Sequence, residues 1–117
     1  MSKYKNQKCR FRGITFDSKR EAKRFRELQI MEKAGIISDL RRQVKYKLIP
    51  VQKLSTPIRQ KSGHMKRAER EVTYIADFVY IKEGQTIVED CKGYETDVFK
   101  IKRKLMLYIH GIQVIQS

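Results

Sequence analysis

The chain has 117 residues, 27 of them Lys or Arg against 13 Asp or Glu, for a formal charge of +14. That length bounds a single domain with one core, and the 40% apolar content supports a folded chain whose charge points to a polyanionic partner, nucleic acid first. A membrane surface is the competing partner, but the sequence has no Trp and no long apolar run, which disfavours it.

The chain opens on a basic arm, residues 1–12, which lacks the apolar stretch of a signal peptide, so a cytoplasmic location is expected. Residues 11–16 can form a short extended segment. Ser18 and Glu21 then have the spacing of a helix capping box, Ala22, Phe25, Leu28 and Met31 recur at helical spacing, and Gly35 supplies a stop. A helix is therefore predicted over 18–34. Lys19, Arg20, Lys23, Arg24 and Arg26 form its basic face, suited to lie against phosphates.

Residues 44–51 alternate apolar and basic side chains and predict a strand that Pro50 ends or confines to an edge. Residues 52–70 show no periodicity. With Pro57, Gly63 and a high density of Lys and Arg, they predict a long basic loop able to close over nucleic acid, with Lys61, Lys66 and Arg67 as contacts. Residues 73–80 and 86–92 read as two strands of a hairpin joined by a short turn around Glu83 and Gly84. Tyr74, Phe78 and Tyr80 are expected on one face of the first of these strands, filling the core. A second helix, capped by Thr96 or Asp97, is predicted to run to about Ile109. Its expected buried stripe is Val98, Ile101, Leu105 and Tyr108, with Lys100, Lys102, Arg103 and Lys104 elsewhere. Residues 112–115 predict a last strand, reached by a crossover that suits parallel pairing. The expected fold is α/β, a mixed sheet flanked by helices in the order α-β-β-β-α-β.

Cys9 and Cys91 lie too far apart to suggest a zinc site and are expected as reduced thiols. His64 and His110 join no metal-binding cluster. The chemistry lies instead in Asp77, Asp90 and Lys92. Alternation puts Asp90 and Lys92 on one face of their strand and Glu89 and Cys91 on the other. Paired carboxylates with a nearby lysine are what a divalent-metal phosphodiesterase requires: hard oxygen ligands, and a cation that orients water or offsets phosphate charge. A simple ion pair between Asp77 and Lys92 is the plainer alternative. Glu21 sits at the third helical position, where it serves equally as a capping residue or as a further acidic ligand.

A carboxylate on one strand followed by carboxylate-x-Lys on the next resembles the PD-(D/E)XK nuclease superfamily over nearly the whole chain. Residues 16–22 (FDSKREA), 75–78 (IADF) and 88–93 (VEDCKG) are similar to a small phage-borne family within it, related to Holliday-junction resolvases. Ala76 stands where the superfamily's naming proline would be, and the second acid is Asp rather than Glu. The resemblance implies Glu21, Asp77, Asp90 and Lys92 as catalytic residues. It implies metal ligation by Asp77 and Asp90, with Glu21 and the Cys91 backbone carbonyl as further candidates.

Mg2+ is the implied cofactor, with Mn2+ as a substitute and no small-molecule cofactor. The implied partners are branched DNA and a second copy of the chain, because resolving a junction takes two symmetric nicks. The location implied is the cytoplasm of an infected bacterial host. Two alternatives remain: another structure-selective or nicking nuclease of the superfamily, and a non-catalytic basic DNA-binding protein that assists recombination.

Overall fold

In the computed structural model, which describes residues 8–117, side-chain caps set where both helices begin. Ser18 Oγ accepts the Glu21 N–H at 3.1 Å and starts α1 (Lys19–Lys33), after which Gly35 takes φ +80°. Thr96 Oγ1 accepts the Phe99 N–H at 3.0 Å and starts α2 (Asp97–His110), which stops at the left-handed Gly111. Residues 1–7 of the basic arm lie outside the described residues.

The strands are β1 (Cys9–Phe11), β2 (Ile14–Phe16), β3 (Ser38–Ile49), β4 (Gln52–Arg59), β5 (Met65–Glu69), β6 (Val72–Lys82), β7 (Gln85–Asp90) and β8 (Ile115–Gln116). A four-stranded sheet runs in the order β3-β6-β7-β8, antiparallel except for the parallel β7–β8 pair. Glu83 and Gly84, both at positive φ, close the β6–β7 hairpin with the backbone twist that a two-residue turn needs. The fold is thus mixed α/β with two helices. Its full order differs from the expected one by two small hairpins, β1–β2 and β4–β5.

The helices cover opposite faces of the sheet. Phe16, Ala22, Phe25, Leu28, Phe78 and Tyr80 form one core under α1, whereas Leu48, Tyr74, Ala76, Val79, Val88, Phe99 and Met106 form the other under α2. The expectation that Tyr74, Phe78 and Tyr80 share a face is therefore corrected. Residues two apart on a regular strand point the same way, yet Ala76 lies under α2 and Phe78 under α1. The same switch occurs on β3: Val44 packs under α2, while the Arg42 guanidinium lies 4.4 Å from the Phe16 ring centre and 5.6 Å from that of Phe25, under α1. The residues at the switch are Gln43 and Asp77. Both are missing from a ladder that otherwise runs from Arg42↔Phe78 to Val44↔Ala76, and Gln43 has φ +53°.

Three further expectations change. Residues 52–70 are largely the β4–β5 hairpin rather than a loop. The hairpin buries no side chain fully, so its sequence carries no apolar alternation to betray its strands. Among the described residues it makes no substantial packing contact with another element, and the radius of gyration is 17.7 Å, against roughly 13 Å for a compact domain of about this size. On α2 the buried side chains are Phe99 and Met106, while Val98, Ile101 and Tyr108 are exposed and Leu105 is half-buried. The helix carries two adjacent apolar stripes, and the sheet takes the one centred on Phe99. Finally, β3 begins at Ser38, well before residue 44, though it does end just ahead of Pro50.

On the α1 face, fully buried Glu89 accepts two hydrogen bonds from Arg24 (2.7 and 3.0 Å) and one from the Tyr80 hydroxyl (2.8 Å). Burial opposes its ionisation, but the hydrogen bonds, led by Arg24, hold its carboxyl below the usual range. Removing one partner of a buried pair strands the other charge. Arg24→Ala is expected to destabilise the fold by about 3 kcal/mol in urea unfolding, and Arg24→Met combined with Glu89→Leu to recover most of that loss. A single variant as stable as the parent would show the pair to be dispensable.

Candidate active site

Asp77 and Asp90 meet where the face switch on β6 lies beside the end of β7. Asp90 is buried, and its Oδ2 accepts the Tyr74 hydroxyl at 2.5 Å. Burial, then this bond to a carboxylate, raises the Tyr74 pKa, so Tyr74 stays a phenol and a donor. Asp90 Oδ1 is buried with no hydrogen-bond partner, and Lys92 Nζ stands 3.5 Å away. Lys92 also lies 5.2 Å from the Phe99 ring centre, which keeps the ammonium on the α2 side of the strand end.

Asp77 is tied down from two directions. Its Oδ2 accepts the Cys91 N–H at 2.9 Å, and its Oδ1 lies 3.5 Å from Gln43 Nε2. The same Gln43 amide donates to Glu21 Oε1 at 3.2 Å, so one side chain at the kink of β3 bridges two acids. Glu21 is buried, and Arg42 approaches it at 3.7 Å. Its backbone N–H serves the cap while its carboxylate turns into the site. Burial and then the Asp17 charge raise its pKa, against the pull of Arg42.

Asp77 is pushed up to about 8, first by burial and then by the nearby Asp90 carboxylate, against the pull of the Cys91 backbone N–H. Crowded acids of this kind keep a proton unless a cation replaces it. Among the described residues, however, no group of three or more His, Cys, Asp or Glu side chains is gathered tightly enough to hold a metal ion. Glu21 is engaged by Gln43 and Arg42, and Cys91 meets Asp77 through its N–H rather than its carbonyl. The Cys91 thiol itself is pushed up to about 11, chiefly by burial, and is inert as a nucleophile.

Two clefts flank this strand end. One, of about 270 Å³, is lined by Tyr74, Asp90, Lys92, Thr96, Val98 and Lys102 among others; the second, of about 390 Å³, includes Arg20, Lys23, Arg24 and Cys91. Of the expected phosphate contacts, Lys19, Arg20, Lys23, Lys61, Arg67, Lys100 and Lys104 are exposed and Lys102 half-buried. The other three are committed elsewhere: Arg24 to Glu89, Lys66 to Glu69 and Arg103 to Glu95. Gln43 and Tyr74 are the site residues that sequence reasoning missed. Gln43 falls in the part of β3 that showed no alternation, and Tyr74 read simply as core.

Residues 1–113 match the model of a family described as a protein of unknown function, DUF1064. The chain belongs to DUF1064. No curated protein and no solved structure matches it. Within the described residues of this DUF1064 member, no helix is long and apolar enough to cross a membrane.

The raised Asp77 pKa has a consequence for stability. Asp77 ionises near 3.8 when unfolded but near 8 when folded, so folding favours its protonated form. The contribution is whole below the lower value and is lost as pH rises through the upper one. Metal-free protein is expected to melt at lower temperature near pH 8 than near pH 5, with Asp77→Asn flattening the slope and Mg2+ restoring the high-pH side. Parallel melting profiles for parent and variant would rule this coupling out.

Proposed function

We propose that the protein is a divalent-metal-dependent DNA endonuclease acting on branched DNA, a junction resolvase in its most specific form. The single observation that carries this is the Asp77–Asp90 pair beside Lys92: two carboxylates crowded until one holds a proton, with an orphaned buried oxygen on Asp90. A pure DNA binder gains nothing from acids where phosphates dock.

The donor set suits Mg2+. That ion keeps several waters and is commonly held by one or two carboxylates plus substrate phosphates, so Asp77 and Asp90 suffice without a third side chain. Mg2+, or Mn2+ in its stead, supplies Lewis acidity toward a phosphate oxygen and acidifies a water. Tyr74 and the Cys91 N–H fix the two carboxylates in orientation before substrate arrives. Gln43 holds Glu21 at hydrogen-bond distance from the same amide that reaches Asp77, where the acid can accept a proton during hydrolysis. Lys92 offsets the negative charge that grows on the phosphate.

Substrate is drawn in by charge. Lys19, Arg20 and Lys23 on α1 and Lys100 and Lys104 on α2 lie on the elements that border the site, and phosphate contacts of this sort position DNA without reading its sequence. The β4–β5 hairpin, with Lys53, Arg59, Lys61 and Arg67, adds a projecting basic ribbon of the kind a major groove admits. Selectivity then follows the shape of the DNA. Paired nicks call for two copies of the site.

The test is cleavage of a four-way junction, a flap, a nicked duplex and a linear duplex, each with Mg2+ or with EDTA. Junction cutting in Mg2+ alone is expected, and Asp77→Asn or Lys92→Ala should each lower the rate by about 100-fold or more with binding largely kept. Equal cutting of all four substrates defeats the resolvase assignment, and parental rates in either variant defeat the nuclease.

A further inference from the structure

The α2 stripe left uncovered by the sheet lies outside both cores except at Leu105, which packs in part against the core under α2. Val98, Ile101 and Tyr108 are 61, 57 and 87% exposed, Leu105 is half-buried between them, and Ile109 at their edge is 42% exposed. Steps of three, four and three residues put Val98, Ile101, Leu105 and Tyr108 in one line along the helix. On a monomer so strongly charged, a continuous apolar line of this kind marks a contact surface.

Its spacing says what the contact is. The stripe is symmetric about position 103: Val98 and Tyr108 are equally far from it, and so are Ile101 and Leu105. When two copies of a helix pack antiparallel about a two-fold axis, residues equally displaced from the axis face each other, residue i on j and j on i. Centred there, Val98 meets the partner's Tyr108 and Ile101 meets the partner's Leu105, twice each.

We infer that α2 is a homodimer interface, packed antiparallel on α2 of a second copy with the two-fold axis level with residue 103. The five side chains present on the order of 500 Å² per copy, the greater part of the about 800 Å² per partner in a standard interface. Small large-for-small steps at the two ends, Tyr108 over Val98, fit a close antiparallel pairing. Lys102 and Lys104 border the stripe on its two sides and approach their own copies near the axis, so charge opposes the contact that apolar burial drives. Val98 also lines the cleft of Asp90 and Lys92, which places the partner's Tyr108 at that cleft's wall. The pairing stands on exposure and spacing and does not require the protein to be a nuclease.

Sedimentation equilibrium of the full chain without DNA provides the first measurement. A dimer that tightens with added salt is expected, since salt screens the lysines. Ile101→Lys and Tyr108→Lys should be monomeric with unchanged circular dichroism, because both sites are exposed. The register is tested by oxidation in a Cys9→Ser background: Val98→Cys with Tyr108→Cys should give a covalent dimer, and Val98→Cys alone should not. A monomer at all protein and salt concentrations would overturn the interface. So would association that weakens with salt, or equal cross-linking by the single and double cysteine variants.

Discussion

The charges of Asp77 and buried Asp90 oppose each other, and much of the local architecture serves to hold the two carboxylates in place. A regular ladder would have carried one alternation straight through Asp77. Instead β3 and β6 change face together at Gln43 and Asp77, and that shared irregularity brings the Asp77 carboxylate to the Cys91 N–H at 2.9 Å and within reach of the Gln43 amide. The acid is stabilised by fixed donors but remains crowded by a second acid, which is why its pKa is pushed up to about 8. Under the proposed function, that crowding is what a bound cation would relieve.

The two faces of β7 divide the work between them. On the α1 side, Glu89 is fully satisfied by Arg24 and Tyr80, an arrangement that locks helix to strand. On the α2 side, Asp90 has one oxygen satisfied by Tyr74 and one without a donor, next to a lysine at 3.5 Å. Neighbouring residues of one strand thus play opposite parts, the first structural and the second chemically unsatisfied. Surrounding cations divide likewise between those tied to carboxylates, such as Arg24 and Arg103, and those with no carboxylate partner among the described residues, such as Lys23 and Lys104.

Signals that act over a few residues were legible in the chain. Ser18 and Thr96 cap helices, Gly84 and Gly111 take the positive φ that their turns require, and the Asp90–Lys92 spacing puts both on one face. Signals that depend on burial were weaker. The β4–β5 hairpin buries no side chain fully, so its sequence carries no apolar alternation and resembled a loop. Helix α2 has apolar residues on two adjacent stripes, and hydrophobic spacing alone cannot say which of them meets the sheet. Tyr74 looked like core because a hydroxyl's partner lies sixteen residues away on another strand.

The sequence by itself determined the α/β class, both helices, the tight hairpin between β6 and β7, the strong positive charge and the residue types of the site, because each depends on local geometry or on composition. Only the tertiary structure decided that Gln43 bridges Glu21 and Asp77, that Tyr74 serves Asp90, that Arg24 is committed to Glu89, and that Val98, Ile101 and Tyr108 stay outside. Those outcomes depend on which face each strand and helix presents to its neighbours. A coordinated change of face on β3 and β6 reverses that choice midway along the sheet, and no short-range pattern in either strand announces it.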